Sequence, residues 1–428
     1  MPFIRFLKQL ILLAVVISGC TDQPIRNQSE DISPTDPPGL QSKLNLTPTI
    51  INNTTPQKLI LWLPEEFDPN LDNPYSHVLQ TRLSDFIESH PGIRIETRIK
   101  GSGQVGGLID SLSSYAVAAP LALPDLVLLS RPDLVTAAKQ NILHPLDNLL
   151  SDPNDADWYD YAASLSKVES QTFGLPFAGD ALILAYNKSE EFQPPSSWNE
   201  LQQLNVSLAF PPADPKSLFS IMQYQSLGGT FENDSSSLLI NEQVLRELFT
   251  IYKQAVDNGL FPTWIIQYET DNSVWQSFLR GRSEMAVSWS SRFLASPPED
   301  TFAAPLPTRD GVPFTLATGY AWVLTSPRSI RHPIAIELAE YLTNAIFLSE
   351  WTAAAGFLPP RPSALALWDP SPRQALASQI IPSAELFPDN DVSIFLGPLL
   401  ADVIVRLLKG EITVDAAVEI TLEQTLQR

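Results

Sequence analysis

From Lys58 onward the chain alternates strand-length apolar or period-two runs with longer amphipathic segments. This pattern constrains the fold most, because neighbouring parallel strands need crossover connections and helices are their usual form. Leu59 to Leu63 is one such run, and Ile93, Ile95 and Ile99 alternate with Arg94, Glu96 and Arg98 as in a half-buried strand. Further strands are predicted over 126–129, 181–186, 206–210, 284–289 and 320–325. Between them, Val78, Leu79, Leu83, Phe86 and Ile87 share one face of a helix predicted over 74–89. Helices are also predicted over 241–258, capped by Asn241 and stopped before Gly259, and over 332–348, 393–409 and 413–426. No internal repeat is visible, and no second linker interrupts this part of the chain.

Composition narrows the function classes. The chain has 428 residues, with 27 Lys plus Arg against 48 Asp plus Glu and a net charge of −21, so no basic surface offers itself to a nucleic acid. Thirty-eight prolines against 18 glycines argue for many stiff loops and against a long coiled coil. A single cysteine excludes internal disulfides, zinc ribbons and iron–sulfur ligation, each of which needs several thiols.

That cysteine stands at the end of an export-like segment. Arg5 and Lys8 precede the apolar run Leu10 to Ile17, followed by Ser18, Gly19 and Cys20. The uncharged stretch is shorter than the roughly 20 residues that a membrane-spanning helix requires. Ile17, Ser18, Gly19 and Cys20 resemble the lipobox of bacterial lipoproteins, which implies cleavage after residue 19 and acylation of Cys20. Residues 20–56 hold many prolines and polar residues without an aromatic, the composition of a disordered tether. Fully extended, such a tether reaches about 120 Å.

Catalytic signatures are sparse. Residues 101–106, Gly-Ser-Gly-Gln-Val-Gly, match a dinucleotide glycine pattern between a strand and a helix. The acidic residue that should follow the next strand is missing, since Asp125 precedes that strand. The segment is read as a loop that presents backbone N–H groups at a helix start. His77, His90, His144 and His332 lack metal-ligand spacing. There is no nucleophile elbow and no phosphate-binding Walker loop. Neither a metal nor a cofactor is expected, and nothing demands an enzyme.

A series of short segments is nevertheless specific in combination. His90-Pro-Gly-Ile93, Pro124-Asp-Leu-Val127, Leu146-Asp147, Phe173-Gly-Leu-Pro176, Tyr186-Asn-Lys188 and Pro195-Ser-Ser-Trp198 occur in order. Phe278, Gly281 and Met285 follow, then Ala304 to Pro307, Gly319, Gly356 with Pro359 to Arg361, and Gly410 with Thr413. In this order they resemble the extracellular solute-binding proteins of ABC transporters, in particular the maltose- and sugar-binding type. The resemblance implies a two-lobed periplasmic-binding-protein fold of type II, each lobe a mostly parallel sheet flanked by helices, joined by a multi-strand hinge. Crossings near 176–181, 314–320 and 371–375 would divide the chain into an N-lobe, 57–177 plus 319–372, and a C-lobe, 182–315 plus 375–428.

Ligands of open α/β sheets bind beyond the carboxyl ends of strands. Within the resemblance this points to Glu65, Ser102, Ser130, Asp133, Asp180, Trp289, Arg292, Tyr320 and Trp351 as ligand-binding residues. Asp180 falls where sugar-binding members carry an acidic residue. Aromatic rings stack on sugar C–H faces while carboxylates take hydroxyls, so Trp62, Trp289, Tyr320 and Trp351 are the candidate platforms. Trp198 and Trp264 are assigned to packing. Trp289 and Ser291 depart from the glycine and aromatic that sugar binders often carry after the methionine strand. The implied protein is a monomeric receptor, held through Cys20 at a cell membrane facing the periplasm or exterior. It would deliver a carbohydrate to ABC permease subunits by hinge closure. Alternatives are a non-sugar ligand, such as a polyamine, phosphorylated polyol or metal chelate, or a surface lipoprotein glycoside hydrolase.

Overall fold

A computed structural model describes residues 57–426 except 104, 188–191, 235–236 and 389. The export segment, Cys20 and the tether, like Gln104 and Lys188, lie outside the described residues. Nine strands form the principal sheet system: β1 (Gln57–Pro64), β2 (Ile93–Lys100), β3 (Leu126–Ser130), β4 (Gly174–Asn187), β5 (Leu208–Ala209), β6 (Met285–Trp289), β7 (Thr301–Ala304), β8 (Thr315–Leu324) and β9 (Ala384–Leu386). The order is β2-β1-β3-β8-β4-β6-β5, with β7 paired to β4 and β9 to β8. Pairs β1–β2, β1–β3, β5–β6 and β8–β9 are parallel. Each antiparallel pairing involves β4 or β8.

Those two strands connect the halves of the fold. Residues 174–181 of β4 pair with β8, whereas residues 182–186 pair with β6. The strand expected over 181–186 is therefore much longer, 14 residues. Pro176 and Gly179 read locally as turn residues, but β4 has partners along its whole length, and Pro176 sits beside a bulge at Tyr320/Ala321 where a missing N–H is tolerated. At the crossing Gly179 faces Gly319. A Cβ on Gly179 would run into the Tyr161 ring, and one on Gly319 into the Ala178 carbonyl, so the approach of these elements requires glycine.

The main helices for the site are α1 (Pro74–Ser89), α2 (Arg131–Lys139), α3 (Leu218–Ser226), α4 (Glu242–Asp257), α5 (Ser290–Ala295), α6 (His332–Leu342), α7 (Ala345–Ala355) and α8 (Asn390–Leu408). Helix α4 begins at the expected cap, Asn241 Oδ1 accepting from Val244 N at 3.1 Å. The single helix expected over 332–348 is two. Asn344 Oδ1 accepts from Ile346 N at 3.0 Å and starts α7 afresh, an N-cap in the middle of a continuous apolar pattern.

Two layers of core cover the first half's sheet, one built around Leu59, Leu61, Phe177, Trp322 and Trp351, the other around Trp62, Val127, Leu129 and Val323. Alternation along β1 sends Leu61 to one side and Trp62 to the other, so Trp62 packs edge-on against Tyr115 inside the protein. A separate core in the second half gathers Leu184, Phe210, Met222, Leu248, Tyr252 and Ile404. Between them, Tyr161, Ala181, Ile183, Phe293, Ala317 and Leu376 form a third cluster around the crossing strands. Trp198 is buried in the second core and Trp264 packs against it.

Candidate functional site

Two clusters of polar side chains meet where β4 and β8 cross. In the first, the short turn Glu65–Phe67 follows β1 and buries Phe67 against Tyr320, ring centroids 4.6 Å apart. With Phe67 anchored, Glu66 faces inward: Tyr320 Oη donates to its Oε1 at 2.8 Å and Ser102 Oγ to its Oε2 at 2.8 Å. Glu65 is exposed. Of the two carboxylates after β1, Glu66 and not the expected Glu65 is the one turned toward Tyr320 and Ser102, because packing of Phe67 sets the rotation of the turn. Burial beside Glu66 raises the Tyr320 hydroxyl above the ordinary tyrosine range.

Ser130 caps α2. Its hydroxyl donates to Asp133 Oδ2 at 2.9 Å, and it lies opposite Tyr320 in the β3–β8 register. Burial raises the Asp133 carboxyl above the usual range, with Ser130 and the Lys216 ammonium pulling it down and Asp110 and Glu66 pushing it up. Tyr320, Glu66, Ser102, Ser130 and Asp133 therefore form one neighbourhood at the carboxyl ends of β1 and β3.

Asp180 forms the second. Oδ1 accepts from Ser290 Oγ at 2.7 Å, Ser291 N at 2.9 Å and Ala181 N at 3.0 Å, and Oδ2 accepts from Ser291 Oγ at 2.6 Å. It thus ties β4 to the first turn of α5. Burial pushes this carboxyl up to about 6 even though the four hydrogen bonds oppose the shift.

A groove of about 550 Å³ lies next to these clusters. Arg131, Pro132 and Val135 of α2 line one wall, Lys216, Leu218 and Trp289 another, and Ala317 and Thr318 of β8 the floor. Thr318 pairs with Asp180 across the β4–β8 register. Trp289 ends β6 and meets Phe387 edge-on at 5.8 Å. Arg292 is engaged by Asp271, 2.7 Å from its Nη2, at the border of an adjoining chamber that Asp271 lines.

Trp351 requires correction. It is 0% exposed, with its ring centroid 4.3 Å from Phe177, 5.6 Å from Phe67 and 5.9 Å from Phe357. It belongs to the core because α7 is apolar on most of its faces and is covered on most of them. Of the candidate platforms, Trp289 lines the groove, whereas Tyr320 packs against Phe67 beside the first core.

Lys216 was missed. Its loop, Pro211 to Ser217, follows β5, the strand predicted over 206–210, but Lys216 stands at the far end of that loop, beyond the positions next to the strand end that the rule selects. This loop is held in an unusual shape. Ser217 takes φ 47°, its Oγ donates to the Gly397 carbonyl at 2.8 Å, and Gly397 of α8 is packed against the Pro215 carbonyl without space for a Cβ. Among the described residues no group of three or more His, Cys, Asp or Glu side chains is placed to hold a metal ion.

The sequence profile of the bacterial extracellular solute-binding protein family matches residues 81–376. The chain belongs to that family. A maltotriose-binding protein from Pyrococcus abyssi is 23% identical over 262 residues, which cover 58% of this chain and 53% of that protein, so the match spans about half the length of this relative. Solved structures of similar architecture include the cyclic α-maltosyl-1,6-maltose binding protein of Arthrobacter globiformis, with a TM-score of 0.70 and 18% identity over 87% of this chain and 98% of that one. The sugar-binding protein MalE of Xanthomonas citri superposes with a TM-score of 0.68 and 19% identity over 86% of this chain and 96% of that one. This extracellular solute-binding protein therefore has the two-lobed α/β architecture of these structures, with β4 and β8 as its crossing strands. Among the described residues of this solute-binding protein no helix is long and apolar enough to cross a membrane.

Proposed function

We propose that the protein is a lipid-anchored receptor that closes its lobes over a carbohydrate and presents it to the permease of an ABC importer, without catalysis. The observation that carries this reading is the groove itself, which takes walls from α2 on one side and from the 211–218 loop and Trp289 on the other. A ligand touching both sides stabilises the closed arrangement by its differential contact, and that is the requirement for a binding-driven hinge. The lobes are those expected from the sequence, 57–177 plus 319–372 and 182–315 plus 375–428, with Cys20 as the acylated anchor. Sugar is the ligand class because Trp289 supplies a ring and Thr318 a hydroxyl in the groove, with Asp180 next to Thr318 across the β4–β8 register and Asp133 on the same helix as Arg131. Of the proteins named above, one is a maltotriose-binding protein, one binds cyclic α-maltosyl-1,6-maltose and one is a sugar-binding protein, which supports the same class here.

Intrinsic tryptophan fluorescence and calorimetry against maltodextrins, cyclodextrins and manno-oligosaccharides test this. Saturable binding without release of product is expected. Hydrolysis of a bound glycan, or no response to any sugar, refutes the proposal. Mass spectrometry of the membrane fraction tests the anchor: an acylated mature N-terminus at Cys20 is expected, and an unmodified one would remove it.

A further inference from the structure

Residues 117–122, Val-Ala-Ala-Pro-Leu-Ala, are exposed without exception, Val117 by 87% and Leu121 by 68%. They finish the helix Leu108–Ala118 and continue into the turn Pro120–Ala122, which buries none of its residues. A run of apolar side chains left in water marks an interaction surface more often than a lone exposed leucine does. The groove makes no use of it. Leu123 is buried and Asp125 N donates to the Ile60 carbonyl at 2.7 Å, which fixes the run at the amino end of β3, whereas Arg131 and the groove follow that strand's carboxyl end.

A basic row stands beside the run. Arg94, Glu96, Arg98 and Lys100 alternate along the edge strand β2, in register with Lys58 to Pro64 of β1. Ile60 and Trp62, their neighbours in that register, pack in the same core layer as Leu112 and Leu123, so the row and the apolar run share one face of the sheet. Lys100 Nζ lies 4.7 Å from the Trp62 ring centroid on this face. Lys58, Arg94, Arg98 and Lys100 outnumber the single carboxylate Glu96, although the whole chain carries a net charge of −21. Glu96 is engaged by Lys58 and by Arg98, whose Nε lies 2.7 Å from its Oε1, and Arg94 is exposed. Asp110, the one acidic residue of the helix, sits at its other end and accepts from Gly106 N at 2.9 Å. Charges guard an edge strand against pairing whatever their sign, so edge protection does not account for the excess of cations.

We propose that this face is a membrane-contact surface, on which the 117–122 run enters the headgroup region of an anionic bilayer and the cations along β2 meet lipid phosphates. A protruding apolar turn with no pocket behind it suits a fluid interface, which needs no shape complement, and basic residues around it add attraction to anionic lipid. The chain also enters β1 at this end, Gln57 pairing with Ile93 next to Arg94. The contact is separate from sugar binding and from acylation of Cys20.

The test uses residues 54–428, a compact unit by themselves, which lack Cys20 and the export segment. Their flotation is measured with vesicles of phosphatidylcholine alone and of phosphatidylcholine with an equal part of phosphatidylglycerol. Binding to the anionic vesicles that weakens as salt is raised is expected, with little binding to the neutral ones. Arg94→Gln should weaken it about fivefold, as for one basic residue near an anionic surface, and Leu121→Asp about tenfold. Val312→Asp, at another exposed apolar position, should leave it unchanged. Leu121→Cys creates the only thiol of this unit, and an environment-sensitive fluorophore on it should shift to the blue on anionic vesicles. No binding to anionic vesicles, equal binding to both kinds, an equal loss in Val312→Asp, or an unshifted label overturns the membrane contact and leaves the lipid anchor and the sugar receptor standing. An acidic protein as the true occupant would give the first of these results.

Discussion

Tyr320 donates its phenolic hydrogen to Glu66 Oε1 at 2.8 Å, joining residues 254 positions apart in the chain. The bond links β8, which runs through the crossing, to the turn after β1, and Ser102 completes the arrangement on the other oxygen. A charge-assisted bond of this kind contributes roughly 1.5–3 kcal/mol when well buried. Tyr320→Phe should therefore lower stability by about 1–2 kcal/mol in chemical denaturation, since both residues keep partial exposure. Ligand affinity should fall as well, because Glu66 loses the group that orients it. A variant with wild-type stability and affinity would show that the bond is incidental.

Trp289 and Trp351 should behave oppositely on truncation. Trp289→Ala removes an aromatic wall shared by groove and side chamber. Loss of that contact should weaken binding by about 2 kcal/mol, on the order of 30-fold, with little change in unfolding midpoint. Trp351→Ala opens a cavity among Phe67, Phe177 and Phe357 and should cost about 3–5 kcal/mol of stability. Paired thermal scans and titrations distinguish them; equal stability losses would contradict the placement of either ring.

Asp180 makes a signed prediction for pH. Its carboxyl titrates near 6 in the folded chain and near the ordinary aspartate value, about 4, when unfolded. Between those values the unfolded chain has released the proton that the native state keeps, so this residue's contribution to stability declines as pH rises from about 4 to 6. Asp133 and Asp214 shift in the same direction through burial, whereas Glu96, held by Lys58 and Arg98, and Glu200, held by Ser196, shift downward and contribute with the opposite sign. In Asp180→Asn the decline should be shallower by on the order of 2 kcal/mol across that window. Identical slopes for the two proteins in midpoint-versus-pH curves would refute the assignment.

Gly356 ends α7 at φ 79°, and a Cβ there would collide with the Ala295 backbone at the end of α5. Gly356→Ala combines left-handed strain with a clash against main chain that has no flexible end to move. A loss of about 2–4 kcal/mol is expected by urea denaturation. A loss below about 0.5 kcal/mol would mean that these helices yield easily at this contact, since exposed neutral sites change stability by no more than that.

Much of this architecture is encoded locally. Strands β1, β2 and β3 show their period or apolar run, and α4 carries its own cap at Asn241. Such signals need only neighbours within a turn or two of chain. Ser130 with Asp133, and Trp289, could likewise be nominated because positions at or just beyond strand ends are predictable once strands are known, whereas Asp180, inside β4, is nominated through the family resemblance.

What tertiary structure alone decided depends on partners far away in sequence. Whether Glu65 or Glu66 faces Tyr320 follows from the way Phe67 wedges into the aromatic core. The length of β4 follows from β8, β6 and β7 pairing with residues whose own preferences suggest a turn. Lys216 entered the candidate groove only through the fold of the 211–217 loop, which Gly397 of α8 holds through Ser217 from 180 positions away. Local propensity acts over a few residues, whereas a binding groove is made of side chains whose positions are set by packing between segments a hundred or more residues apart, and no short-range pattern carries that information.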